Sequence, residues 1–74
     1  TRAVFTLHDE ADIANLLDRV VAAHPAVSVG SYPQWRNPRF RTKLTFDSKD
    51  VAEIDAAIAE FVAGITPEKL VSEE

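Results

Sequence analysis

A chain of 74 residues with 46% hydrophobic and 27% charged side chains, four prolines and two glycines has the composition of one ordered domain. Its formal charge of −4 argues against a surface built for a polyanion, and the absence of cysteine excludes disulfide frameworks, thiolate metal sites and thiol nucleophiles. A domain this small buries only about 60% of its unfolded surface and keeps about 3–5 kcal/mol of stability, so a partner covering its apolar faces is expected.

Ala3 to Leu7 alternates, with Ala3, Phe5 and Leu7 on one face and Val4 and Thr6 on the other, as in a short strand. From Asp9 to Ala23 the residues Ile13, Leu16, Leu17, Val20 and Val21 form one stripe of an amphipathic helix. Asp9 suits its N-cap, with Glu10 and Asp12 in the first turn. Pro25 ends the helix near His24, because the residue before a proline avoids helical dihedrals. Ala26 to Gly30 reads as a second strand with Val27 and Val29 inward.

Gly30 to Pro38, with two prolines, a glycine and an asparagine, reads as a loop and holds the only Tyr and the only Trp. A third strand follows, with Phe40, Thr42, Leu44 and Phe46 facing one way and Arg39, Arg41, Lys43 and Thr45 the other. Ser48 or Asp50 caps a second helix carrying Val51, Ile54, Ile58, Phe61, Val62 and Ile65, which Gly64 and Pro67 stop. The tail from Glu68 to Glu74 reads either as a linker or as a short strand at Leu70 and Val71. The expected architecture is therefore α+β: a βαββα two-layer sandwich over residues 1–66, with two helices on one face of a three-stranded sheet that the tail 67–74 extends to four if it pairs. The simplest path joins the first two strands by a right-handed helical crossover.

Candidates for chemistry are few. His8 and His24 lie at opposite ends of the first helix, roughly 20 Å apart, too far to share a metal or a proton relay. Asp9, Glu10, Asp12, Asp50, Glu53 and Glu60 fall at helix starts or on solvent faces, where they serve capping and solubility. Two glycines cannot build a Walker loop or a dinucleotide fingerprint. One constellation stands out: Arg36, Arg39, Arg41 and Lys43 cluster beside Tyr32 and Trp35. Such a set grips phosphate or an acidic surface while the aromatics stack on a planar ring. Alternatively the charges keep an exposed strand soluble and Trp35 folds back onto the domain. Small domains with a basic strand include KH-type RNA binders, but their Gly-x-x-Gly clamp has no match here, and nucleic acid is not the expected partner.

VSVGSYPQW at Val27–Trp35, RTKLTFDS at Arg41–Ser48 and the ID-x-A-I helix at Ile54–Ile58 carry a resemblance over nearly the whole chain. The chain resembles the end of the molybdopterin-binding-like region of eukaryotic-type FAD synthases and, more distantly, the CinA proteins. The resemblance implies a small subdomain beside a larger MoaB/Mog-like nucleotide-binding domain that is associated with hydrolysis of FAD or ADP-ribose, FAD synthesis belonging to a further domain. No catalytic residue carries over. The fragment is expected to bind no cofactor alone, the parent to use FAD or ATP with Mg, and the larger domain to be its partner, with a homo-oligomer formed through the parent. The binding or interface residues to test are Gly30, Ser31, Tyr32, Pro33, Trp35, Arg36, Arg39, Arg41 and Lys43. Gly30 is read as the residue that turns the chain sharply before Pro33 fixes φ. Without an initiator Met the chain reads as processed or excised, and without a membrane span or leader its expected place is the cytoplasm.

Overall fold

The computed structural model describes all 74 residues: β1 (Arg2–Thr6), α1 (Glu10–Ala23), β2 (Ser28–Pro33), β3 (Thr42–Asp47), α2 (Val51–Ala63), a 3-10 turn at Pro67–Lys69 and β4 (Leu70–Glu73). The strands form one sheet in the order β2-β3-β1-β4 with every neighbouring pair antiparallel. This α+β arrangement is the split βαβ, or ferredoxin-like, topology. The tail supplies the fourth strand, since Ala3 and Glu74 exchange both backbone hydrogen bonds at 2.9 and 2.7 Å. As expected, α1 carries the chain across from β1 to β2; the two strands are parallel but not neighbours, because β3 lies between them. No helix is long and apolar enough to cross a membrane.

Alternation decides which face is covered. Val4, Thr6, Thr42, Leu44 and Phe46 are fully buried and share one side of the sheet with Val29. The helices lie on that side: Ile13 and Val20 of α1 and Ile54, Ala57, Ile58 and Phe61 of α2 complete the core, closed at its ends by Val27 and Ile65. Phe46 and Phe61 meet at its centre with ring centroids 6.0 Å apart. Two residues of the expected helical stripes fall outside it, Val21 and Val51, which are exposed because each sits at the margin of its apolar arc.

Helix starts are built as the sequence indicates. Asp12 accepts the Asp9 N–H at 3.3 Å, and Asp50 accepts the Ala52 N–H at 3.0 Å while Ser48 Oγ accepts the Asp50 N–H at 3.1 Å, so Ser48 and Asp50 act together. The turn entering α1 is held from the sheet. Thr42 Oγ1 donates to the His8 carbonyl at 2.8 Å, and the cross-strand neighbour Thr6 accepts the His8 N–H on Oγ1 at 3.0 Å.

Both glycines answer to packing. Neither has a positive φ. Gly30 lies inside β2 and makes no sharp turn: the strand continues to Pro33, and only 34–41 loops out. A Cβ at Gly30 would stand 2.9 Å from Thr45 Oγ1 and 3.0 Å from the Tyr32 ring, so the missing side chain lets that ring lie along the strand. At Gly64, the C-cap of α2, a Cβ would stand 2.6 Å from Leu16 Cδ1 and 3.3 Å from its Cγ, where α1 and α2 close on each other. Gly64→Ala gains up to about 1 kcal/mol of helix propensity. Forcing Leu16 from its place outweighs this, and a net loss of about 1–2 kcal/mol is expected in urea denaturation. In a Leu16→Ala background the same change should cost nothing, a non-additivity that a double-mutant cycle reads directly.

Candidate functional site

The sheet face away from the helices carries Ala3 and Phe5 of β1, Lys43 and Thr45 of β3, Gly30 and Tyr32 of β2, and Ser72 of β4. Register places Tyr32, Lys43, Phe5 and Ser72 in one row across all four strands. Lys43 thus stands between two aromatic residues, its Nζ 5.7 Å from the Phe5 ring centroid. Phe40 meets Phe5 edge-on, centroids 4.7 Å apart. Of the chain's six aromatic residues only Phe46 and Phe61 belong to the core. Beside the row, Phe5, Arg39, Phe40, Val71, Ser72 and Glu74 line a shallow cavity of about 110 Å³.

The expected basic cluster is divided by this geometry. Lys43 is on the open face and Arg39 borders the cavity. Arg41 instead reaches Asp9 Oδ1 at 3.2 Å, at the start of α1, in an ion pair with both partners at least half exposed and therefore worth little. Arg36 is exposed in the 34–41 loop. Phe40, expected beside Leu44 and Phe46, stands on the other side with Phe5, because β3 begins only at Thr42 and alternation does not reach back to Phe40. Trp35 does not fold back: it is 81% exposed. Tyr32 is half exposed, Pro33 ends β2, and Ser31 faces the helices opposite Leu44 with its hydroxyl buried and unbonded.

His24 is more than a boundary residue. It is 15% exposed, with Glu53 Oε2 at 3.5 Å from Nδ1 and Glu60 Oε1 at 3.6 Å from Nε2. Glu53 and Glu60 therefore face the end of α1 instead of serving solvent alone, and the three side chains join the two helices. Spacing hides this set, since Glu53 and Glu60 are two turns apart on α2 and only the helix crossing brings them to His24.

Over residues 1–74 the chain matches the family described as FAD synthase, middle domain. The chain belongs to that family. The match covers every element just described, β4 included. In the middle domain, Phe5, Phe40, Val71 and Ser72 join the open face without having been singled out beforehand. Phe5 was legible from the alternation of β1, whereas Val71 and Ser72 join only through the pairing of β4.

Proposed function

We propose that this middle domain is a non-catalytic accessory unit of an FAD synthase-type protein, seated by its open sheet face on the larger nucleotide-binding domain of the same polypeptide, of the molybdopterin-binding-like, MoaB/Mog or CinA class. The observation that carries this is the row Tyr32, Lys43, Phe5 with Phe40 and Val71 beside it. Four of six aromatic residues stay outside the core of a domain too small to waste apolar area. The parent's chemistry, turnover or synthesis of flavin nucleotides with Mg, belongs on this reading to its other domains. Hydroxyl-radical footprinting of the chain alone and of the parent protein tests it. Tyr32, Phe40 and Val71 are expected to be oxidised readily in the chain and to be shielded in the parent; equal oxidation in both overturns the docking.

A second reading has its own support: a cation over the Phe5 ring, with Tyr32 its cross-strand neighbour on the same open face, is suited to a phosphate beside a planar base, so the face could contact flavin or adenine nucleotide directly. On this reading Tyr32→Ala and Lys43→Ala each weaken nucleotide binding by the parent about tenfold, the loss of one stacking or charge contact. Unchanged affinity in both variants removes it. Arg41, which reaches toward Asp9 at the start of α1 instead of joining the row, is expected to be silent. The KH reading fails on topology, since β2 and β3 separate the two helices and leave no helix–loop–helix clamp.

A further inference from the structure

We infer that the outer edge of β2 pairs with the same edge of a second copy of this chain, joining two sheets into one of eight strands. The inference concerns a different surface from the open face and stands independently of the docking reading.

The free backbone groups on this edge follow from alternation. Ala3 exchanges hydrogen bonds with Glu74 of the tail, so the odd residues of β1 bond to β4 and the even ones to β3. Thr42, Leu44 and Phe46 are then spent on β1, and Lys43, Thr45 and Asp47 on β2. The bond from the Gln34 N–H to the Arg41 carbonyl, 2.8 Å, has the same phase. On β2, therefore, Ser28, Gly30 and Tyr32 bond inward, while Val29, Ser31 and Pro33 turn their backbone groups away from the sheet. Pro33 has no N–H to leave idle, which suits an edge. The free donors are the N–H groups of Val29 and Ser31. Antiparallel pairing about a two-fold axis centred on Gly30 or on Ser31 satisfies all of them in both copies.

Charge selects the occupant. From Pro25 to Gln34 the chain has no charged residue, so two copies of β2 meet without repulsion. The other edge, β4, is guarded: Glu68, Lys69, Glu73 and Glu74 flank or occupy it, and its pairing with β1 slips between Phe5 and Thr6. These are the usual defences of an edge strand, and β2 has only its terminal proline. One strand pair buries less than the roughly 1,200 Å² of a standard interface, so association of the chain alone is weak and concentration-driven.

Amide hydrogen exchange and sedimentation of the chain over a concentration series decide the matter. Exchange at Val29 and Ser31 is expected to slow about fivefold once the total concentration stands about ten times above the dissociation constant, where about one chain in five is still monomeric, with a dimer sedimenting in step. Ser31→Pro removes one free donor per copy and should abolish both effects. If that variant fails to fold, Ser28→Lys with Tyr32→Lys, both at exposed positions, places repelling charges along the same edge and should do likewise. Concentration-independent exchange at Val29 and Ser31 overturns the proposal. So does a dimer that survives in a folded variant, or new protection at Leu70–Glu73, which would mean pairing through β4.

Discussion

Phe61→Ala is expected to leave the chain unfolded in water. The ring is fully buried, tilted at 56° to Phe46, and belongs to one core cluster with Val4, Leu44, Ile54 and Ile58. Truncating a buried phenylalanine costs about 3–5 kcal/mol, the lost transfer free energy plus the cavity left behind. A domain of this size holds about the same amount in total, so no margin remains. Far-ultraviolet circular dichroism with a urea titration reads the result: no cooperative transition in the variant, against a single one in the parent sequence. Phe61→Leu fills most of the volume and should restore a transition at lower midpoint. A Phe61→Ala chain that still unfolds cooperatively near the original midpoint would mean that the core is not organised around this pair.

Replacing both buried threonines is expected to have the next largest effect. Thr6 and Thr42 are the only buried polar residues, and both spend their hydroxyls on the backbone of His8. Val has nearly the shape of Thr, so Thr6→Val with Thr42→Val keeps packing while stripping the His8 N–H and carbonyl of their sheet partners. Each orphaned group costs about 1–3 kcal/mol. A combined loss of about 2–4 kcal/mol in chemical denaturation is expected, with faster amide exchange spreading from His8 into the first turn of α1. Because both hydroxyls act on one residue, the single variants should not add to the double. A double variant as stable as the original would show that water replaces the hydroxyls at that turn.

Much of the architecture was legible because it rests on local periods. The alternation of Thr42, Leu44 and Phe46, the helical stripes of α1 and α2 and the acidic caps at Asp9 and Asp50 are properties of neighbouring residues, and they dictated two helices on one face of a sheet. The candidate face was half legible: Tyr32 and Lys43 stood out by residue type, while Arg41 stood out equally and went elsewhere. Nothing in the spacing told Arg41 that Asp9 was near.

What the sequence by itself determined about this protein is thus its α+β class, most of its core-facing residues, its lack of thiol chemistry and its likeness to FAD synthases. Only the tertiary structure decided that β3 lies between β1 and β2, that the tail closes the sheet, that Phe40 crosses to the open face and that His24 lies between Glu53 and Glu60. It also decided what each glycine is for, since the atoms that exclude a Cβ at Gly64 belong to Leu16, far away in the chain. The reason is the same in every case. Hydrophobic period and capping act within a few residues, whereas strand order, ion pairing and steric exclusion depend on groups that only the closed sandwich brings within a few ångströms.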